Sequence, residues 1–355
     1  MNAAKVAAFI TCVIYNILYN KHLCLPVQMT VFTEKPTFYV VGRKNNLLEK
    51  HGETLKIRDS ETKEVIKSAP ALMVRDVVIC GDVDLSADVF SLLEKHSIPL
   101  HFLSTGGKFR GGTVFDFSKN VFLRHKQYQL HHDQTTKLSL ARTFVNAKVS
   151  NQNRVLQKIR AKGRLELDTM IFKTLDELRG GEGAMARKYF SIWKEEELVK
   201  GSGFQFPGRI KRPSTDPVNS LLSFCFTLLH SEIHTQLLIA GLDPYTGFLH
   251  DQTYGHAALA SDMVEPFRGP AEHFVLRCIN RREFDATEDF EEETGGAVKL
   301  SRSGFQKFFP KWAEFLRKDP LWGEKSITRT IERDVRHLTH YLMGDVPEFQ
   351  PFIWE

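Results

Sequence analysis

The sequence predicts an α+β chain in two unequal parts, a small N-terminal β-rich domain followed by a larger all-helical C-terminal domain. Three observations predict it. Between Thr37 and Leu103, short β-branched and aromatic runs alternate with turn residues. From Arg124 onward, apolar residues recur at helical spacing. Between the two stretches, Gly111-Gly112 reads as a hinge region. The expected boundaries are an apolar extension over 1–36, a β-rich domain over 37–115 and a helical domain over 116–355.

The extension is the least typical stretch. Lys5 precedes an almost unbroken apolar run from Val6 to Tyr19. A targeting opening, a buried helix, or sequence upstream of a start near Met29 all fit this text. Asn16 and Asn20 interrupt the run, no small-x-small cleavage site follows, and it is short for a membrane span. No membrane association is expected.

The β-rich part takes shape from punctuation. Thr37-Phe38-Tyr39-Val40-Val41 is closed by Gly42, and Asn45-Asn46 and His51-Gly52 are turn signals. Thr54 to Ile57 alternates, and Glu64-Val65-Ile66 resumes after a turn at Asp59-Ser60. Val77-Val78-Ile79-Cys80 has the composition of a strand buried on both faces. Ser86 is placed to cap a helix through Val89, Leu92 and Leu93, and Ile98 to Leu103 returns as a strand.

The helical part opens with His131-His132-Asp133, which reads as a solvated helix start, since adjacent helical side chains diverge and do not share a metal. Leu138, Ala141, Val145 and Val149 then share one face, with Arg142, Lys148, Asn151 and Arg154 on the other. A helix from Leu165 to Leu178 is expected to end at Gly180-Gly181, which puts Glu182 at a glycine-flanked helix start. There the helix dipole favours a glutamate, and a ligand could equally approach it closely. The loop from Gly201 to Asp216 carries Arg209, Lys211 and Arg212, a device suited to phosphate contact or a plain solvated loop. Pro217 opens a long apolar helix in which His230-Ser231-Glu232-Ile233-His234 matches the bare letters of a zinc-hydrolase motif. No downstream residue is singled out as a third zinc ligand.

The stretch from Asp243 to Arg268 holds the densest chemistry. It contains His250 and His256, then Asp262 and Glu265 three residues apart, so a helix puts both carboxylates on one face. Pro266 is expected to end or kink that helix, and a second helix is expected from Glu272 to Arg282. Crowded carboxylates call for a cation, so this stretch reads as most of a divalent-metal site. Asp285 to Glu293 reads as an acidic loop. The stripe Phe305, Phe308, Phe309, Trp312 and Phe315 reads as core, as does the face Ile327, Ile331, Val335, Leu338 and Leu342 of a last helix. The aromatic tail from Pro347 to Trp354 could dock on its own core or on a partner.

Composition narrows the class. Hydrophobic content of 42% and charged content of 26% describe a globular chain, not a disordered one. The five cysteines are scattered without a CxxC pair, which argues against a zinc ribbon or a disulfide scaffold and for a reducing cytoplasm. A net charge of +5 permits a nucleic-acid partner without demanding one.

Four segments, in order, resemble the CRISPR-associated integrase family, the integrase of the spacer-acquisition module. They are Glu182-Gly183-Ala184 through Phe190, Arg212 to Asn219, Gly241 to His250, and Asp262 to Arg268. The text departs from the family pattern at Gly269-Pro270, where proline is expected directly after the arginine. The resemblance implies a metal site of Glu182, His250 and Glu265, with Asp262 in support and His256 set aside as structural. It also implies Mg2+ or Mn2+ as cofactor, with Arg209, Lys211, Arg212 and Arg268 on DNA. The implied reaction inserts foreign DNA as new spacers into a CRISPR array by attack of a 3′-hydroxyl on a phosphodiester. The implied partners are a second copy of the chain and a small ferredoxin-like protein of the same module. The competing readings are a DNA-binding architectural subunit without catalysis, and a zinc hydrolase on His230 and His234.

Overall fold

A computed structural model describes residues 35–42, 45–105, 107–201, 203–210, 213–293, 295–317 and 326–354. The apolar run before residue 35, and Lys211 and Arg212 of the basic loop, lie outside the described residues. Residues 35–355 cluster as one compact unit. Among the described residues, no helix is long and apolar enough to cross a membrane.

The first part runs β1 (Phe38–Val41), β2 (Asn46–His51), β3 (Thr54–Asp59), β4 (Val65–Pro70), β5 (Val77–Cys80), β6 (Asp84–Leu85), α1 (Ala87–Lys95), β7 (Leu100–Leu103) and β8 (Phe109–Thr113). One sheet has the order β4-β3-β2-β6. The other has the order β1-β5-β7-β8, with β1, β5 and β7 parallel and β8 antiparallel to β7. Strand alternation makes this second sheet two-faced. Phe38, Val40, Val77, Ile79 and Leu100 pack with Leu48, Leu55, Val89 and Leu92 in a first hydrophobic core. Tyr39, Val78, Cys80 and Leu103 point the other way, into the core of the helices. That is why Val77 to Cys80 is apolar at every position.

Gly111 and Gly112 are not a hinge. They lie in β8, paired with Phe102 and His101 of β7. A Cβ on Gly112 would meet the Leu100 carbonyl at 2.5 Å, so the glycine serves close strand approach.

The helical part comprises α2 (Val121–His132), α3 (Gln134–Lys158), α4 (Leu175–Glu195), α5 (Pro217–Ala240), α6 (Ala258–Asn280), the hairpin β9 (Phe290–Glu293) and β10 (Ala297–Leu300), α7 (Arg302–Arg317) and α8 (Ile327–Met343). The aromatic stripe of α7 and the apolar face of α8 are buried, as expected. The acidic run is not a loop throughout. Its end forms β9, where Lys299 of β10 sits 2.7 Å from Glu293 and 3.3 Å from Glu291. The tail docks on its own core, with Phe349 and Trp354 buried.

Two helices differ from expectation in ways that bear on the site. Helix α4 starts at a capping box formed by Thr174 and Glu177 and runs through Gly180-Gly181, so Glu182 sits mid-helix. Gly181 is needed for packing, since a Cβ there would lie 2.3 Å from the Phe172 ring. Helix α6 runs unbroken through Pro266 and Pro270. Pro270 has no N–H for the Pro266 carbonyl, and Asn151 Nδ2 of α3 donates to it instead at 2.6 Å. Gly269 lets α3 come close, because a Cβ there would lie 2.9 Å from the Asn151 backbone. The polar face of α3 is therefore buried against α6: Lys148, Asn151 and Gln152 are all under 10% exposed.

Candidate active site

Helices α3, α4 and α6 converge on one cluster of charge. Glu182 comes from α4, Glu265 and Arg268 from α6, and Lys148 from α3. The Lys148 ammonium pairs with Glu182 Oε1 and lies 2.7 Å from Glu265 Oε2. Glu265 is 2% exposed, and Lys148 is the close cation at its Oε2. Its Oε1 accepts from Arg268 Nε at 2.8 Å. Burial pushes the Glu265 carboxyl up, but Arg268, Lys148 and then His250 outweigh it and hold it well below the usual carboxylate range. Burial works likewise against the Lys148 ammonium, and Glu265 and Glu182 more than offset it.

His250 reaches the cluster from the segment before α6. Asp262, on the first turns of α6, builds that segment. It is fully buried and accepts the backbone N–H groups of Phe248, Leu249 and His250 at 2.5, 3.0 and 2.9 Å. It also accepts from His250 Nδ1 at 2.8 Å. That bond fixes the tautomer with the proton on Nδ1 and leaves Nε2 as a lone pair, 3.7 Å from Glu265 Oε1. Burial disfavours the charged ring, but the Asp262 hydrogen bond and the nearby carboxylates win, and the His250 pKa is raised. With both oxygens committed to these bonds, Asp262 is a positioning residue in this arrangement and not a fourth free ligand.

Further residues hold the same segment. Gln127 of α2 bonds both carbonyls of Asp243 and Thr246, at 2.8 and 2.9 Å, and accepts from Asp243 N. His131 is buried and donates through Nδ1 to the Gly247 carbonyl at 2.6 Å. The expectation of a solvated His131-His132 pair is thus corrected for His131, while His132 is exposed. Arg179 of α4 donates to the Leu249 carbonyl at 2.6 Å and pairs with Asp251 at 2.7 Å. Neither Gln127 nor Arg179 was singled out by its motif context, and Lys148 was read only as part of a polar helix face, because a lone polar side chain on a helix carries no sign of what packs over it.

Of the remaining expected residues, Arg268 belongs to the cluster and the others lie outside it. Arg209 is tied inward, with Nη1 donating to Asn219 and the Ile210 carbonyl and Nη2 to Ser223. Burial and the neighbouring Arg268 lower its pKa to about 10, which leaves it charged at neutral pH. Arg268 stacks on the Phe226 ring at 4.6 Å to the centroid. His256 bonds Ser261 at 2.9 Å and the Asp251 carbonyl at 3.2 Å, a structural pairing. The zinc-hydrolase reading fails on Glu232, which pairs with Arg75 at 2.6 Å and is not aimed at an open site. His230, its pKa lowered to about 4 by burial and then His234, is a neutral core histidine.

The cluster suits a divalent cation in its chemistry. Four carboxylates (Glu182, Asp262, Glu265 and Glu272) crowd this region, with Lys148, Arg268 and the neighbouring Arg209 as its fixed cations. Two carboxylates and one imidazole are a donor set for Mg2+ or Mn2+. Among the described residues, no three His, Cys, Asp or Glu side chains are drawn together closely enough to hold a metal as they stand. Lys148 lies between two of the three.

Comparisons with known proteins place the chain in a family. The family model for CRISPR associated protein Cas1 matches residues 39–314. A CRISPR-associated endonuclease Cas1 from Thermus thermophilus is 34% identical over 315 residues, covering 86% of this chain and 93% of its own. Among solved structures, a casposase bound to its integration product superposes with a TM-score of 0.79 at 24% identity, covering 90% of this chain and 94% of that one. A chain of a Cas6-RT-Cas1–Cas2 complex superposes with a TM-score of 0.71 at 21% identity, over 90% of this chain and 36% of that one.

Proposed function

The chain belongs to the Cas1 family of CRISPR-associated endonucleases and integrases of the spacer-acquisition module, and on that premise we propose that Glu182, His250 and Glu265 form its reaction centre. It is an enzyme that acts on DNA. Our reading of its reaction is strand transfer: a DNA 3′-hydroxyl attacks a phosphodiester in line, and a second 3′-hydroxyl leaves. Hydrolysis is the same displacement with water as nucleophile.

The observation that carries this reading is the convergence of α3, α4 and α6 on one buried, acid-rich point beside a histidine of fixed tautomer. Glu182, His250 Nε2 and Glu265 would hold Mg2+ or Mn2+. When bound, that ion would lower the pKa of the attacking hydroxyl and neutralise charge building on the phosphate. The chain's own groups do the rest. Asp262 keeps His250 Nε2 turned to the reacting atoms, where, when it does not hold the ion, it can take up a proton instead. Arg268 presents a guanidinium beside Glu265 for a phosphate oxygen. Lys211 and Arg212 extend the phosphate-binding reading along the basic loop, and Arg209 supports that loop from within.

Following the casposase solved with its integration product and the Cas6-RT-Cas1–Cas2 assembly, we take DNA and a small Cas2-type protein as partners. A second copy of the chain completes the assembly in this reading. We keep residues 37–115 and 116–355 as the proposed domain scheme and Asp262 as a proposed support of the metal site. The cytoplasm is the proposed compartment, consistent with Cys80, Cys225 and Cys278 being free and buried.

A Mn2+-dependent strand-transfer assay tests the centre. Glu182→Ala and His250→Ala should each lower the rate by about a hundredfold or more while the protein stays folded by circular dichroism. Full activity in either variant overturns the assignment.

A further inference from the structure

Lys148 touches both carboxylates that the reading above gives to the metal. Its ammonium pairs with Glu182 Oε1 and lies 2.7 Å from Glu265 Oε2. The side chain is 7% exposed and arrives from α3, while the two acids come from α4 and α6. Lys148 is therefore the only link in the structure between Glu182 and Glu265 that any ion pair records among the described residues. Glu265 Oε2 has Lys148 as its close cationic neighbour, at 2.7 Å.

A divalent ion bound between these acids would sit about 2.1 Å from their oxygens, where an ammonium at hydrogen-bond distance from the same oxygens cannot also stay. The two cations are mutually exclusive by both volume and repulsion. Arg268 does not have this conflict, since it approaches Glu265 through Oε1 from one turn along α6. Lys148 has a further acid facing it. Glu272, on α6, is buried, feels the charge of Lys148 and Arg268, and accepts from Gln152, the residue one turn beyond Lys148 on α3.

We infer that Lys148 is a resident counter-ion of the metal seat: its ammonium joins Glu182 to Glu265 in the metal-free protein and must leave for a divalent ion to bind. This inference rests on the metal reading and adds a competitor to it. It has two consequences. The metal-free site stays assembled and neutralised, so the buried acids do not push α4 and α6 apart. The displaced ammonium becomes a free cation beside the metal, where a DNA phosphate would take it, so metal and DNA reinforce each other's binding.

Calorimetric titration of Mn2+ into the DNA-free protein tests it without reference to activity. Lys148→Met should bind Mn2+ about tenfold more tightly than the wild type, because the seat no longer has to be cleared. Binding of Mn2+ to wild type with equal or weaker binding to Lys148→Met overturns the inference and leaves the metal reading standing. No binding to either protein overturns the metal reading and this inference with it. Should Lys148→Met fail to give a cooperative melt, a crystal structure of the wild type with Mn2+ decides. Lys148 Nζ withdrawn from the two carboxylates supports the inference. Nζ still within hydrogen-bond distance of both, with Mn2+ bound at Glu265, overturns it.

Discussion

Asn151 Nδ2 donates to the Pro266 carbonyl at 2.6 Å, and that one bond replaces the helical bond that Pro270 cannot make. The same amide donates to the Phe352 carbonyl at 3.0 Å, and its Oδ1 accepts from Trp354 N at 2.7 Å. One buried side chain thus joins α3, the proline-bearing α6 and the C-terminal tail. Asn151→Ala leaves buried backbone groups unpaired at both places. Destabilisation of about 2–4 kcal/mol is expected, measured by urea unfolding against wild type. A loss of only a few tenths would show that water replaces the amide freely.

Proton competition should be visible at His250. Its pKa is raised in the fold, chiefly because Asp262 outweighs the burial penalty. The metal ligand is the neutral ring, so Mn2+ affinity should fall by up to about tenfold per pH unit below that raised pKa. Without metal the sign reverses. The His250–Asp262 pair contributes stability fully below about pH 6.5 and loses it as pH rises through the folded value. Titration calorimetry and thermal melts at about pH 6 and 8 measure the two effects. Mn2+ affinity independent of pH over that range would remove His250 from the ligand set.

Much of the proposed site is legible in the text through the order of its segments. Glu182, His250, Asp262 and Glu265 sit in the segments that resemble the family, and the fold brings those four together. Lys148 and Asn151 escaped because their partners lie on other helices, and nothing local tells a buried lysine from a solvated one. The prolines of α6 misled for a related reason. Pro266 marks a break or kink by local rules, yet the helix runs through it, and the carbonyl that Pro270 leaves without a helical donor is met by a side chain more than a hundred positions away.

Gly247 limits the approach of the His250 segment to α6. A Cβ there would lie 2.7 Å from the Ala258 carbonyl carbon and 2.8 Å from Asp262 Oδ2. Gly247→Ala should push the segment off Asp262 and weaken Mn2+ binding by about tenfold or more, as loss of an outer hydrogen-bond partner does elsewhere. Unchanged affinity would mean that the segment shifts as a unit and carries His250 with it.

A second charged cluster should behave independently of the first. Glu232 of α5 pairs with Arg75 at 2.6 Å, and Arg75 with Asp76 at 3.2 Å, where β5 meets α5. His101 of β7 joins through Ser231 Oγ at 3.1 Å. Glu232→Ala removes one partner of a largely buried pair and should destabilise the protein by about 3–5 kcal/mol. Chemical denaturation measures it, and Mn2+ affinity of the folded variant should match wild type. A shift in that affinity would show that strain at this junction reaches the reaction centre.

The sheet formed by β1, β5, β7 and β8 has a bearing on how the protein can be taken apart. Because its strands give alternate side chains to two cores, neither core is closed without it. A fragment beginning at α2 would present an open apolar wall where Tyr39, Val78, Cys80 and Leu103 had been. Dissection at the strand-to-helix boundary should therefore give an insoluble catalytic fragment, and swapping β-rich halves between relatives should succeed only when that inner row of side chains travels with the helices it faces.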